Sequence, residues 1–165
     1  MKNMVEAHTL IAPTDKRNRL ANRNLIEHYA NAVRNEFDDA EEFVKDIDSK
    51  GLVEWFVHGA YVRQLTIPKE TTIVSDLWNR ERLWVIVKGD VSVTSELGNT
   101  RIKAPYIGMA PFGSKVALYT HEETVWLAIT GAESTTSEEV KEEVRAKDYN
   151  EVTYPWELIE YKGDT

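Results

Sequence analysis

The chain has 165 residues, of which 42% are hydrophobic, so it has room for one domain with appendages and a real core. Its 20 basic and 28 acidic side chains leave a net charge of -8 without any basic stripe, which argues against binding duplex nucleic acid. There is no cysteine, which excludes disulfides, thiol catalysis and cysteine-ligated zinc.

Residues 1–15 read as an extended arm, because Pro13 discourages helix and Asp15 can cap a helix that begins at residue 16. No apolar signal core precedes that first helix, and no apolar run approaches the ~18 residues of a membrane span. The expected location is therefore the cytoplasm, away from membranes. From 16 to 37 the apolar residues Ile26, Tyr29, Ala30, Val33 and Phe37 recur at three- and four-residue spacing, predicting an amphipathic helix. Glu41, Phe43, Val44 and Ile47 suggest a second short helix, which Ser49, Lys50 and Gly51 stop.

The period then changes. Strands are predicted at 52–56, 61–67, 71–75, 82–88, 91–95, 100–104, 115–119 and 124–130, each rich in β-branched or aromatic residues. Turns fall at Pro68-Lys69-Glu70, Lys88-Gly89-Asp90, Leu97-Gly98-Asn99 and Pro111-Phe112-Gly113. Short strands at this even spacing predict a mainly β, antiparallel sandwich or barrel. After Gly131, Thr136 and Glu139 form a capping-box pattern before a helix at 138–147. Its clear apolar anchors are Val140 and Val144, so it reads as a surface helix. Trp156, Leu158 and Tyr161 give the tail an aromatic character. The expected organisation is an arm with helices packing on the barrel (1–51), the barrel (52–131), and a helix with an aromatic tail (132–165).

Within the strand region the residues resemble a cupin. Pro68-Lys69-Glu70-Thr71-Thr72-Ile73-Val74 is similar to the opening of the first cupin motif, with Glu70 where glycine is usual. Lys88-Gly89-Asp90-Val91 resembles its closing turn, and Pro111-Phe112-Gly113 the Pro-X-Gly of the second motif. The likeness is nearer to small cupin-like proteins encoded by bacteriophages. It is carried by Tyr61, Arg63, Ile67 and Pro68, by Lys103-Ala104-Pro105, and by Thr124-Val125-Trp126. About 70 of the 165 residues take part. The resemblance implies a jelly-roll barrel, a double-stranded β-helix. It also implies a phage protein acting in the host cytoplasm.

Counting from Gly89 and Gly113 puts the positions of the family's metal ligands on Asp76, Trp78, Arg82 and Val116. None is histidine. A transition metal needs imidazole or carboxylate ligands converging on one point, so the expectation is no metal and no cofactor. Strand alternation puts Asp76 with Trp78 on one face, Arg82 with Trp84 on one face, and Tyr61 with Arg63 on another. If these faces point inward, Tyr61, Arg63, Asp76, Trp78, Arg82 and Trp84 make a lining for a planar or anionic small molecule, nucleotide-like ones included, through stacking and guanidinium hydrogen bonds.

Three alternatives stand beside this reading. The tryptophans could fill the barrel, with the arginines paired to Asp76 or Glu81. The protein could be a metal-independent sugar-nucleotide epimerase or isomerase, with Tyr61, Tyr106 or Tyr119 as acid and His58 or His121 as base. It could also be a dimeric scaffold that binds a protein partner such as one from the host. The apolar faces of the N-terminal helices and the tail lead us to expect a homodimer or a higher symmetric oligomer.

Overall fold

The computed structural model describes residues 16–36 and 51–152. The predicted arm, the second helix at 41–47 and the aromatic tail lie outside those residues. Helix α1 spans Lys16–Glu36. It lies against one sheet of the barrel and buries Ile26 and Ala30, which are one turn apart. Tyr29, expected on the same face, points to solvent. Polar contacts fix the helix axially. Asn22 donates to the Glu96 carbonyl (2.9 Å), Arg23 pairs with the Glu96 carboxylate (2.7 Å) and Glu27 pairs with Lys115 (2.6 Å).

Eleven strands come after it in the described residues: β1 Leu52–Val57, β2 Ala60–Ile67, β3 Thr72–Val74, β4 Leu77–Trp78, β5 Arg82–Lys88, β6 Asp90–Ser95, β7 Gly98–Lys103, β8 Tyr106–Ala110, β9 Ala117–Thr120, β10 Thr124–Thr130 and β11 Arg145–Ala146. They form a five-stranded sheet, β1-β2-β10-β5-β8, a four-stranded sheet, β3-β9-β6-β7, and the two-stranded pair β11-β4. Each pairing is antiparallel. Leaving out β1, β4 and β11, the chain crosses between the two sheets at every step except the β6–β7 hairpin, the order of a jelly roll, which is the expected mainly β double-stranded barrel. The sheets enclose a core that includes Ile67, Ile86, Val91, Val93, Leu118 and Trp126.

Two predicted turns have clear backbone reasons. Gly89 has φ 113°, and a Cβ there would lie 2.8 Å from the Thr124 Cα. Only glycine fits between these strands. Glu70, which stands where glycine is usual, takes φ 60° without being glycine.

Strand β8 is not predicted by the sequence pattern. Pro105 and Gly108 disguise it, since both lower strand propensity. The Tyr106 ring lies over Gly108, so a side chain at position 108 would have to displace that half-exposed ring.

Helix α2 spans Ser137–Val144, with Thr136 as N-cap accepting from the Glu139 N–H. It ends three residues before the predicted 147. Arg145 and Ala146 instead pair with Trp78 and Leu77 of β4, and the Val144 carbonyl accepts from the Asn79 N–H (2.9 Å). Long-range sheet pairing overrides good local helix propensity here. Nor is α2 simply a surface helix. Val140 and Val144 are fully buried against Tyr61, Trp78 and Ala132, so α2 covers one end of the barrel.

The outer face of the five-stranded sheet is apolar. Pairing registers place Trp55, Val62, Ile129, Leu83 and Met109 in one row, and Val53, Gln64, Leu127, Val85 and Ile107 in the next. Ile107 and Met109 are 67% and 64% exposed. No described helix is long and apolar enough to cross a membrane.

Candidate functional site

A cavity of about 440 Å³ opens between the sheets at the end that α2 and β11 cover. Its floor is set by register. On the inward face of the large sheet, Arg63, Ala128, Trp84 and Gly108 lie side by side in one row. The next row is Tyr61, Thr130, Arg82 and Ala110. The small Ala128 stands between Arg63 and Trp84 and leaves space there. Beyond this, Leu65, Trp126 and Ile86 form a third row, and Trp84 packs edge-on against Trp126 with ring centres 4.8 Å apart.

Arg82 is the distinctive group. Its side chain is buried, with the residue only 4% exposed. It has no carboxylate partner among the described residues. One terminal nitrogen donates to the Ser114 hydroxyl at 2.6 Å, and the guanidinium carbon lies 4.4 Å from the Trp78 ring centre and 5.7 Å from that of Trp84. Its Nε is buried without a hydrogen-bond acceptor. Burial pushes this guanidinium down to about 9, with Asp76 opposing the shift and Arg63 adding to it. It therefore stays charged at neutral pH. The indole faces stabilise that charge only in part, and the desolvation cost remains.

The rim is cationic. Lys115, Lys141, Arg145 and Lys147 join Arg63 and Arg82 around the cavity, against Asp76 as the only carboxylate among the described lining residues. Asp76 pairs with Arg145 at 3.0 Å. A net positive cavity in a chain of net charge -8 is a local inversion that the bulk composition hides.

Five of the six residues singled out from the sequence, Arg63, Asp76, Trp78, Arg82 and Trp84, line this cavity. Tyr61 does not. It sits in the adjoining cluster under α2, stacked on Phe56 at 5.4 Å, and its hydroxyl donates to Glu54. Burial first, and then that hydrogen bond, raise its pKa above the ordinary tyrosine range, which keeps the phenol protonated. The filled-barrel pairing of Arg82 with Asp76 or Glu81 is not made, since Asp76 is taken by Arg145 and Arg82 by Ser114.

Sequence reasoning missed Trp126 and the four rim cations. A weak signal existed for the rim, because Lys141 and Arg145 are four residues apart in a helical pattern and so share a face.

No described histidine or tyrosine lines the cavity. Tyr119 and His121 lie on the outer side of the four-stranded sheet, where His121 Nε2 and the Ser92 hydroxyl are 2.8 Å apart. His58 lies in the exposed β1–β2 turn. Tyr106 lines a smaller cavity of about 130 Å³ on another side of Trp84.

The four positions corresponding to the family's metal ligands do converge, since Asp76, Trp78, Arg82 and Val116 all face the cavity. They do not fit a metal. Asp76 is the one ligating group and is held by Arg145, while Arg82 puts a fixed positive charge beside the position. Among the described residues no three histidine, aspartate or glutamate side chains cluster as ligands.

No protein-family model and no curated protein matches the chain. Solved structures similar to this chain include several cupin proteins. A cupin domain from Schizosaccharomyces pombe is 20% identical, with a TM-score of 0.43 over 56% of this chain and 69% of that one. An RmlC-like cupin family protein with a double-stranded β-helix fold from Methanocaldococcus jannaschii is 16% identical, with a TM-score of 0.44 over 52% and 84%. A cupin-2 domain protein from Shewanella frigidimarina is 11% identical, with a TM-score of 0.43 over 50% and 81%.

Proposed function

We propose that the protein is a metal-free, cupin-like binder of a small anionic molecule with a planar part, and that the barrel cavity is its site. The observation that carries this reading is Arg82, a buried cation between two tryptophan rings with an unsatisfied Nε and no carboxylate partner among the described residues. A buried charge without a counterion is costly. A bound anion supplies the missing charge and the missing acceptor together, and Trp78 and Trp84 offer stacking faces for its planar part. The volume of about 440 Å³ is in the range of small-molecule sites.

The isomerase reading asks for a histidine base and a tyrosine acid facing the cavity, and the described lining holds neither residue type. The binding reading also takes from the resemblance to phage-encoded proteins that the protein acts in the cytoplasm of an infected bacterium and sequesters its ligand there.

The test is a thermal-shift and calorimetric screen of nucleotides, sugar nucleotides and organic acids on the wild type and Arg82→Met. The expected result is an anionic hit whose affinity falls at least about tenfold in the variant, the size of one lost charge-assisted contact. A hit that binds both proteins equally, or no hit at all, overturns the reading.

A further inference from the structure

Apart from Lys115, which pairs with Glu27, the cations around the cavity fall into two groups at different depths. The inner group is Arg63 and Arg82, on the floor of the large sheet. The outer group is Lys141, Arg145 and Lys147, which α2, β11 and the residue after it bring to the rim. Trp78 joins the two groups. Arg82 stacks on its ring, and Arg145 is its partner across the β4–β11 ladder.

The cations without ion pairs mark where anionic groups of a ligand would bind. Lys115 is neutralised by Glu27 and Arg145 by Asp76. Arg82, Lys141 and Lys147 form no ion pair among the described residues. A ligand with one anionic group at Arg82 leaves the outer lysines uncompensated. The Asp76–Arg145 pair is itself accessible, with side chains 50% and 28% exposed, so it is a contact that an incoming anion can compete for.

We infer that the ligand carries at least two anionic groups, one at each depth, and that the outer one takes the place of Asp76 at Arg145. Its chemical class is an aromatic ring bearing a diphosphate, or bearing two separate phosphate, sulfonate or carboxylate groups. Asp76 then acts as a stand-in anion, keeping Arg145 oriented while the site is empty. This rests on the binding reading above and adds the number and placement of charges.

Two ladders of probes test it, each with a constant ring and a rising number of anionic groups: adenosine, AMP, ADP and ATP, and naphthalene, its monosulfonate and its disulfonate. Affinities are measured by calorimetry at low and high salt on the wild type, Arg145→Gln and Asp76→Asn. In the wild type, the step from one anionic group to two is expected to gain about tenfold, with a steeper loss of affinity in salt. Arg145→Gln should flatten that step while leaving the one-group member bound. Asp76→Asn should strengthen the two-group member more than the one-group member.

If one-group and two-group members bind equally and Arg145→Gln changes neither, the two-anion inference is overturned while the binding reading stands. If no member of either ladder binds at millimolar concentration, both are overturned.

Discussion

The Arg82 guanidinium lies 4.4 Å from the centre of the Trp78 ring, and this contact stands where an ion pair would be expected for a buried arginine. The floor of the cavity is therefore organised around a charge that the fold tolerates without fully compensating it. Replacing such a charge by an apolar side chain of similar length removes the desolvation cost. Arg82→Met is expected to keep or raise the thermal midpoint while losing the anionic ligand. A variant that loses stability sharply yet binds normally would show that Arg82 serves packing alone.

Ala128 is the small residue in the row between Arg63 and Trp84. Its side chain faces the cavity, so a larger apolar residue there fills empty space. Ala128→Leu is expected to change stability by less than about 1.5 kcal/mol, because the cavity accepts the added volume. Ligand binding should be abolished. Chemical denaturation and calorimetry on the same preparation check both halves, and unimpaired binding would mean the ligand sits elsewhere.

Glu70 holds φ 60° in an exposed turn where only its backbone is engaged in the barrel, its N–H donating to the Thr120 carbonyl at 2.7 Å. A left-handed non-glycine residue costs about 1–2 kcal/mol, and glycine's greater freedom in the unfolded chain returns part of that. Glu70→Gly should therefore stabilise the protein by about 0.5–1 kcal/mol. A destabilised variant on denaturant titration would contradict the turn geometry.

Asp90 accepts from two guanidinium nitrogens of Arg101, Nε and one terminal nitrogen, at 2.8 and 2.9 Å, with the Lys103 ammonium at 3.4 Å. The hydrogen bond from Arg101 is the largest influence and holds this carboxyl at about 2. The depressed value sets the sign. The stabilisation is complete above the ordinary aspartate range near 4, and it is lost as pH falls from there toward 2. Wild type should lose more stability than Asp90→Asn over that window, read as the acid shift of the thermal midpoint. Parallel acid profiles for the two proteins would remove Asp90 from the account.

The outer rows Trp55–Val62–Ile129–Leu83–Met109 and Val53–Gln64–Leu127–Val85–Ile107 hold ten residues and no charge. Five strands about 4.8 Å apart make this face ~24 Å wide, and an exposed apolar surface of that kind is a usual mark of an interface. A symmetric dimer through this face is expected, because each copy presents the same uncharged rows to the other. The pair Ile107→Lys and Met109→Lys should convert a species of twice the chain mass to a monomer in light scattering. A monomeric wild type at micromolar concentration would refute it.

The sequence by itself determined which residues share a strand face and where several turns fall, because alternation and glycine backbone freedom are local. Arg82 with Trp84, Arg63 with Leu65, the Gly89 turn and the Thr136 cap could all be read that way. Tertiary structure decided how far along the barrel each inward residue lies, since depth depends on register between strands distant in sequence. Tyr61 and Arg63 alternate identically, yet only Arg63 reaches the cavity, because α2 comes down over the end that Tyr61 occupies. Long-range pairing also chose the partners. Arg82 meets Ser114, 32 residues away, and Asp76 meets Arg145, at the point where the β4 ladder breaks off a helix that local propensity would have continued. Arg145 and Lys147 reach the rim through that break and join Lys115 and Lys141 there, which is why composition alone showed an acidic chain and not a basic cavity.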